Sequence, residues 1–411
     1  MITTLKKKAV KNRVFRVSDF RKFFQTASDL IVEKDCVYDG FGFVAKSIYM
    51  ATYVAKQIFV SCDRTFIYCE NYTMYENKNN KIIAIYNLYK DHIHIGEITQ
   101  NATKKVFIVG EFGAKFLGGV TVKNFPLTKN IVIDNEQVYT EYDGKISFFT
   151  PYDFINQHAD LTEVNTIQVT PATEKVLGMF KKDKNIYLIC KNSIYKVSLD
   201  DELYKSRVER LEINDLDIND KSLAIGKNYC SFISGENLCV FDGQIKRHSN
   251  LILLENEYTS FNTAFNYNNI YFFPIKDKGG VNYCYFYNFV NQKQGFLGKV
   301  TCASENGLFI ENKYIKEIDF TAKSSNQKIF ISKDIDFSSS EKKILNSLEV
   351  EVLSKTILQI EGDFGLKKIT LFPGYNKIDI NLQSTFFRLK FTCNGEFKMQ
   401  NLNLLYRYRG E

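Results

Sequence analysis

Residues 185–198 read NIYLICKNSIYKVS, and this stretch indicates how most of the chain folds. Ile186, Leu188 and Cys190 alternate along one face of a predicted strand, and the return strand begins at Ile194. The three residues KNS between the strands are short, polar and typical of a turn. The stretch therefore predicts a β-hairpin.

Related hairpins recur along the chain, at residues 58–69, 131–142, 229–241, 270–287 and 308–318. Two less regular copies, 82–95 and 106–117, lie between the first two, and extended stretches such as 165–170 and 258–266 are expected to add inner or outer strands. The later copies start about forty residues apart, which is the spacing of one four-stranded propeller blade. We therefore predict an irregular β-propeller of about six or seven blades over residues 30–322.

The pattern changes near residues 321–326, after which apolar and polar residues alternate almost without interruption. Five or more short strands follow, separated by turns at 361–363, 373–374 and 394–395. This predicts a small antiparallel β-sandwich over residues 325–411.

The first 29 residues are expected to form a basic arm followed by a short helix. Ser18 is the predicted N-cap, and helical spacing follows at Phe20, Phe23, Phe24 and Ala27. The Asp39-Gly40 pair then predicts a turn into the first repeat.

The composition is that of an ordinary globular protein, with 45% hydrophobic and 25% charged residues in a chain of 411. No run of about 18 apolar residues appears, so no membrane anchor is expected. The sequence has 35 Phe and 25 Tyr but no Trp, which favours sheet, and its 5 Pro leave turns to Asn, Asp and Gly. The net charge of +7 permits contact with nucleic acid without arguing for it.

Few residues suggest chemistry. Nine cysteines lie mostly inside strand patterns without C-x-x-C spacing, which indicates buried free thiols and a reducing compartment during folding. His92 and His94 share a strand face but have no evident third metal ligand. The run from Asp215 to Asn219 begins like a calcium loop and then lacks its glycine and its final glutamate.

Nucleotide-binding, zinc-protease and serine-hydrolase motifs are absent from the sequence, as is the Trp that ends the repeat signatures of sialidase and WD propellers. We therefore expect no cofactor, no metal, no catalytic residue and no enzymatic activity.

The order of the parts adds a further indication. A strand segment LIVEKDCVYDG at 30–40 precedes the propeller, KDIDFSSSEKK at 333–343 leads into the sandwich, and the chain ends on FFRLKFTC at 386–393 and LNLLYRY at 402–408. This order resembles the tail nozzle and tail-stabilising proteins of short-tailed bacteriophages. The resemblance covers nearly the whole chain, has no diagnostic motif and transfers no catalytic residue.

The resemblance implies a structural virion protein, made in the host cytoplasm, of which several copies form a ring around the DNA channel below the portal and adaptor. Its partners would then be further copies, other tail proteins including fibres, and non-specifically contacted DNA. The alternative is a virion or cell-surface propeller that binds a glycan or a protein receptor. A hydrolase is the third class.

A ring requires contacts between neighbouring copies, and the basic arm offers candidate interface residues. These are Lys6, Lys7, Lys8, Lys11, Arg13 and Arg16. The acid-rich segment 200–220 is a candidate partner on an adjacent copy.

Overall fold

The computed structural model describes residues 12–48, 53–61, 64–78, 81–87, 93–100, 103–110, 113–116, 127–134, 137–150, 165–171, 173–255, 257–304, 307–311, 314–323 and 327–409. Within these ranges the chain is almost entirely β-strand, with one α-helix, Phe20–Phe23, and three 3₁₀ turns, Leu203–Lys205, Asp220–Ser222 and Ile252–Glu255. None of the helical segments in these ranges is long and apolar enough to cross a membrane. The predicted all-β class is confirmed.

The described strands form seven blades, in agreement with the predicted number. Blade 1 is Ala55–Ser61, Arg64–Cys69, Thr73–Lys78 and Lys81–Asn87; blade 2 is Ile93–Gln100, Thr103–Gly110 and Gly113–Phe116; blade 3 is Asn130–Asp134, Gln137–Tyr142, Lys145–Phe149 and Thr166–Gln168; blade 4 is Val176–Lys182, Asn185–Cys190, Ile194–Ser198 and Arg207–Leu211. Blade 5 is Ala224–Ile225, Cys230–Ser234, Asn237–Phe241 and Ile245–His248; blade 6 is Phe265–Tyr267, Ile270–Asp277, Asn282–Asn288 and Gln294–Leu297, with Tyr258–Ser260 beside the far end of its second strand; blade 7 is Val300–Ala303, Leu308–Glu311, Tyr314–Lys323 and Phe41–Ile48.

The blades close into a ring. The first strands of consecutive blades contact each other in chain order, and the first strand of blade 7 contacts that of blade 1. The outermost strand of blade 7, Phe41–Ile48, comes from the N-terminal part of the chain and pairs with Tyr314–Lys323. Hydrogen bonds between the two ends of the propeller therefore hold the ring closed.

The hairpin at 185–198 forms the middle of blade 4, and both of its faces are buried. Ile186 and Leu188 pack with residues of blade 3, whereas Tyr187 and Ile189 on the opposite face pack with residues of blade 5. The alternation seen in the sequence therefore marks contacts to two neighbouring blades, because a blade lies between two others and has no solvent face.

Most of the predicted hairpins are confirmed, including the less regular one at 106–117. The prediction at 82–95 is wrong. Lys81–Asn87 pairs with Thr73–Lys78 and ends blade 1, whereas Ile93–Gln100 pairs with Thr103–Gly110 and starts blade 2. Two strands that follow each other at a blade boundary have the same sequence pattern as a hairpin, because each still alternates.

Asn, Asp and Gly form the turns, as the low proline content predicted. Nine of the thirteen described non-glycine residues with positive φ are Asp or Asn. In blade 3, Asp143 (φ 50°) and Gly144 (φ 74°) connect Gln137–Tyr142 to Lys145–Phe149. Two successive positive φ angles are those of a type I′ turn, whose twist matches that of the strands it joins.

The C-terminal part is a two-layer β-sandwich, as predicted. One layer orders its strands Cys36–Asp39, Lys398–Tyr408, Lys343–Val352 and Gly374–Ser384, with Arg13–Arg16 also paired to Lys398–Tyr408. The other layer orders them Phe24–Ser28, Lys328–Ser332, Arg388–Cys393, Thr356–Gly362 and Gly365–Leu371.

The predicted boundaries need a correction at the N-terminal end. Residues 12–28 are part of the sandwich, because Arg13–Arg16 and Phe24–Ser28 each add a strand to one of its layers. Residues 30–39, predicted to start the propeller, form a hairpin on the sandwich, and the propeller begins at Phe41–Ile48. The edges of the sandwich layers offer backbone hydrogen-bonding groups, and N-terminal strands use them.

The predicted helix is shorter than its apolar spacing suggested, and its cap is one residue later. Asp19, instead of Ser18, is the N-cap, and its carboxylate accepts a hydrogen bond from the Arg21 backbone N–H at 3.0 Å. The helix ends at Phe23, and Phe24 and Ala27 lie on the strand that follows. Pairing with Lys328–Ser332 determines the conformation of this segment in place of its helical pattern.

Propeller and sandwich share one sheet. Gln294–Leu297 of blade 6 pairs with Leu30–Val32, which pairs with Cys36–Asp39, which pairs with Lys398–Tyr408. The sheet continues in this way from blade 6 into the first layer of the sandwich. The largest apolar core also spans both parts, since it contains Phe273 and Tyr285 of blade 6 together with Phe330 and Leu404 of the sandwich.

Candidate functional site

The predicted interface residues divide into two groups. Lys6, Lys7, Lys8 and Lys11 lie outside the described residues. Arg13 and Arg16 lie on a strand of the sandwich, where the Arg13 guanidinium stacks over the ring of Tyr408 at 4.5 Å. This strand is paired with Lys398–Tyr408 of its own chain. Only residues before Asn12 can therefore form an arm that reaches a neighbouring copy.

The acid-rich segment 200–220 contains the last strand of blade 4, Arg207–Leu211, and leads into blade 5. Several of its acids have partners nearby in the same chain. Glu202 pairs with Lys205 at 3.0 Å, and Asp220 pairs with Lys175 at 3.4 Å. Such exposed ion pairs contribute little to stability, so the segment remains open to exchange of partners.

The described residues of the candidate histidine site and of the calcium-like run make contacts within the fold. His94 Nε2 donates a hydrogen bond to the Lys129 carbonyl at 2.6 Å, and His92 is outside the described residues. Asp215 has a positive φ, and the Asn219 side chain accepts from the Lys221 backbone N–H. No group of three or more potential metal ligands occurs in the described part of the chain.

The cysteines are structural. All eight described cysteines are free thiols, and seven are buried. Burial raises the pKa of Cys190 and of Cys302 to about 12, so these thiols stay protonated near neutral pH. Cys36, the half-buried exception, also has a raised pKa because of burial and the nearby Glu33.

A buried ion pair lies at the junction of the two parts. The Asp39 carboxylate is 3.7 Å from Lys328 Nζ and accepts a hydrogen bond from the Phe397 backbone N–H at 3.0 Å. Burial raises the pKa of Asp39, although that hydrogen bond and Lys328 oppose the shift. Gly40 follows with its backbone against Asp29, and a Cβ at Gly40 would lie 2.9 Å from the Asp29 carbonyl. This Asp-Gly pair therefore joins sandwich to propeller.

A cleft lies between the sandwich and blade 6, hereafter the interdomain cleft. One wall is the outer face of the second sandwich layer, and the other is the turn that connects Ile270–Asp277 to Asn282–Asn288. Its two adjoining lobes have volumes of about 350 Å³ and about 360 Å³. Residues of both parts line the first lobe, among them Gln25, Asp277, Val281, Gln359, Arg388 and Lys390.

The sandwich wall carries polar side chains in strand register. Gln359 lies opposite Lys390 on the neighbouring strand, and Glu361 lies opposite Arg388 in the same pair of strands. The Arg388 guanidinium contacts Asp334 at 2.7 Å and Glu361 at 3.4 Å, which fixes it at the cleft. Cross-strand neighbours on one sheet face are about 5 Å apart, so these groups form a compact polar surface.

Sequence reasoning missed the interdomain cleft, since its residues come from segments near positions 25, 280, 331, 360 and 390. A signal existed in the strand Thr356–Gly362, where outward positions hold Ile357, Gln359 and Glu361. The alternation predicted an outward face correctly, but it contains no information that blade 6 lies opposite.

No protein-family model matches the chain, and no curated protein sequence matches it. Solved structures similar to it include the extracellular domain of BT4673 from B. thetaiotaomicron, with 10% identity and a TM-score of 0.48 over 87% of this chain and 58% of that one. BamB from Moraxella catarrhalis has 12% identity and a TM-score of 0.38 over 79% and 95%. The WD40 propeller domain of Doa1 has 8% identity and a TM-score of 0.43 over 67% and 96%.

This chain spans 58% of the length of the BT4673 domain, and similarities at these values carry no argument about activity or partners. The described fold itself defines the class, a β-propeller protein with an attached β-sandwich.

Proposed function

We propose that this protein is a structural component of a short-tailed bacteriophage tail. In this role several copies form a ring around the DNA channel, below the portal and adaptor. The order of strand segment, propeller and sandwich supports the proposal, because it is the order on which the resemblance to nozzle proteins rests.

The shared sheet is the observation that carries the proposal. Backbone hydrogen bonds connect blade 6 to the sandwich through Leu30–Val32 and Cys36–Asp39. A subunit of a ring under mechanical load must keep its two contact surfaces at a fixed angle. A continuous sheet and a common apolar core satisfy that requirement better than a flexible linker would.

The basic residues before Asn12 supply the proposed contact to neighbours or DNA. Lys6, Lys7, Lys8 and Lys11 precede a strand anchored on the sandwich, so they start from a defined place on the surface. Cations near the channel would contact phosphates without sequence preference. In an interface between copies they would determine the register of neighbours more than the stability of each chain.

The test is removal of residues 1–11, which leaves the strand Arg13–Arg16 intact. We expect the shortened protein to fold with unchanged thermal stability and to be missing from purified virions, as measured by quantitative mass spectrometry relative to portal. A longer deletion through Arg16 would remove a strand of the sandwich and confuse assembly with folding.

A matched variant changes only charge, with Lys6, Lys7, Lys8 and Lys11 all replaced by Gln. It should show the same loss from virions if the cations act, and normal incorporation if only chain length matters. Absence of the intact protein from virions would overturn the proposal and favour the alternative, a surface propeller that binds a receptor.

A further inference from the structure

The interdomain cleft has the features of a built ligand site. Its walls belong to different parts of the chain, yet the shared sheet and common core hold them at a fixed separation. Each lobe, at about 350 Å³ and about 360 Å³, falls at the lower end of the range for small-molecule sites. The cleft is therefore preformed and large enough for a short ligand.

Three side chains of the cleft have hydrogen-bonding capacity that the described part of the chain leaves unused. Gln25, Gln359 and Lys390 line the first lobe, are half-buried, and make no side-chain hydrogen bond or ion pair with any described residue. Together they present two amides, each donor and acceptor, and one ammonium donor. A ligand rich in hydroxyl groups, which both donate and accept, matches this set.

The charges of the cleft balance. Arg388 and Lys390 line the first lobe together with Asp277 and Glu361, and the second lobe adds Lys278 and Lys333 with Glu257 and Asp334. Arg388 is already held by Asp334 and Glu361. An anionic ligand would meet carboxylates and a cationic one would meet Arg388 and Lys390, so a neutral ligand is favoured.

Apolar surface accompanies the polar groups. Val281 on the blade 6 side and Leu366 on the sandwich side both line the first lobe, and they are 44% and 55% exposed. Exposed aliphatic side chains beside amide groups suit a molecule with hydroxyl edges and C–H faces. Sugar rings have this amphipathic character.

We propose that the interdomain cleft binds a short neutral oligosaccharide. Gln359 and Lys390 hydrogen-bond its hydroxyl groups, Gln25 contacts it from the edge strand Phe24–Ser28 of the same layer, and Val281 and Leu366 pack on its C–H faces. The proposal goes beyond the tail role and does not depend on it, because it uses only contacts within one chain.

The experiment is isothermal titration of the purified full-length protein with four neutral disaccharides: maltose, cellobiose, lactose and N,N′-diacetylchitobiose. Sialyllactose and inorganic phosphate serve as anionic comparison probes. We expect at least one neutral disaccharide to bind, and both Gln359→Ala and Lys390→Ala to weaken that binding about tenfold, as loss of one strong hydrogen bond would.

The matched control is Lys368→Ala. Lys368 is exposed and lies opposite Gln359 on the adjacent edge strand, but it is not among the residues that line the interdomain cleft. Its replacement should leave the affinity unchanged. Thermal unfolding of all three variants checks the fold, and Gln359→Ala retains the test if Lys390→Ala is unstable.

The proposal fails if none of the four disaccharides binds at up to about 10 mM, a concentration well above a millimolar dissociation constant. It also fails if binding survives both cleft substitutions, or if only sialyllactose or phosphate binds. Virion incorporation of Gln359→Ala should be normal, so failure of the sugar site and failure of the tail role give different results.

Discussion

The propeller and the sandwich are both antiparallel β-structures, yet they are assembled from the chain in different ways. Each of blades 1 to 5 takes its strands from one continuous stretch, so its pairings join strands that follow each other. The sandwich takes strands from both ends of the chain. Arg13–Arg16 and Cys36–Asp39 pair with Lys398–Tyr408, more than 350 residues later.

The difference teaches that the sandwich joins the two ends of the chain a second time, in addition to the pairing that closes the propeller in blade 7. A blade is supported on both faces by its neighbours. Each layer of the sandwich includes an N-terminal strand, and the N-terminal strand Leu30–Val32 also pairs with blade 6. Substitutions at the junction should therefore affect the whole molecule, whereas those in a blade turn should have local effects.

The largest expected effect is that of Phe24→Ala. Phe24 is fully buried, with its ring 5.5 Å from Phe296 of blade 6 and 6.4 Å from Phe330 of the sandwich. Removing a buried aromatic ring costs about 3–5 kcal/mol of unfolding free energy, through lost burial and a residual cavity. Chemical denaturation monitored by circular dichroism measures this loss of unfolding free energy. We expect a single cooperative transition that shifts to lower denaturant concentration.

Val14→Ala is the matched control for Phe24→Ala. Val14 lies in the same N-terminal segment and is 60% exposed, so its replacement should change the unfolding free energy by no more than about 0.5 kcal/mol. Two separate transitions, with only one moved by Phe24→Ala, would contradict the view that sandwich and blade 6 share a core.

The difference between pairing of adjacent strands and pairing of distant strands also explains which features could be predicted from the sequence. The hairpin at 185–198 was predictable because its partner strands are adjacent and its turn is short. The role of residues 12–39 was not, since the strand Phe24–Ser28 has an apolar spacing that also fits a helix and its partner lies 300 residues away.

The candidate sites follow the same division. Arg13 and Arg16 were identified as basic residues, but their place on a sandwich strand depends on a distant pairing. The interdomain cleft depends on how blade 6 faces Thr356–Gly362, and a single alternating strand contains no such information. Local turn chemistry, such as that of Asp143-Gly144, can be inferred from a dipeptide because the backbone itself requires it.

Lys328→Met should have the next largest effect, because it leaves the Asp39 carboxylate buried without its cation. Breaking a buried pair in this way costs about 3 kcal/mol or more at neutral pH. The loss should be smaller at acidic pH than at neutral pH, because protonation of Asp39, whose pKa burial already raises, removes the uncompensated charge. Denaturation at the two pH values measures this, and equal losses would contradict it.

The double variant Asp39→Asn/Lys328→Met is the control for the charge effect. It removes both charges, so it should be more stable than Lys328→Met alone at neutral pH. If the double variant is no better, the loss comes from packing of the lysine stem and not from the buried carboxylate.

Substitutions in blade turns should have smaller effects on the unfolding free energy. Two glycines distinguish the effect of backbone strain from that of steric contact. Gly235 (φ 56°) has no atom within 4 Å of the position of a Cβ, so Gly235→Ala tests backbone strain alone and should cost about 1–2 kcal/mol. Gly144 (φ 74°) would place a Cβ 2.0 Å from Thr170 Oγ1, so Gly144→Ala should cost about 1 kcal/mol more.

Thermal unfolding of both glycine variants provides the comparison. Adding Thr170→Ala to Gly144→Ala removes the hydroxyl, which is the closest contact of the new Cβ, and it should recover part of the extra loss. Equal losses at the two glycines would contradict this prediction, because they would show that Thr170 moves away from the new Cβ at little cost.

The smallest expected effect is a change in pH dependence within blade 3. Glu141 is buried, with its carboxylate accepting from Asn130 Nδ2 at 2.6 Å and from the Gly144 backbone N–H at 2.8 Å. Burial raises its pKa above 4.5 despite these bonds, so the folded state holds the proton more tightly than the unfolded state does. Its stabilising contribution is complete below pH 4.5 and is lost as pH rises through the folded pKa.

Glu141→Gln should remove this slope, because glutamine has the donor and the acceptor of the protonated acid at every pH. The unfolding free energy, measured by denaturation at intervals from pH 4 to pH 7, should fall less steeply than in the wild type. Glu236→Gln, at an exposed turn in blade 5, is the matched control for the substitution itself. Asp39 also has a raised pKa, so Asp39→Asn should flatten the curve further. If Glu141→Gln keeps the wild-type dependence of unfolding free energy on pH, the Glu141 carboxylate makes no measurable contribution to that dependence, and the prediction is wrong.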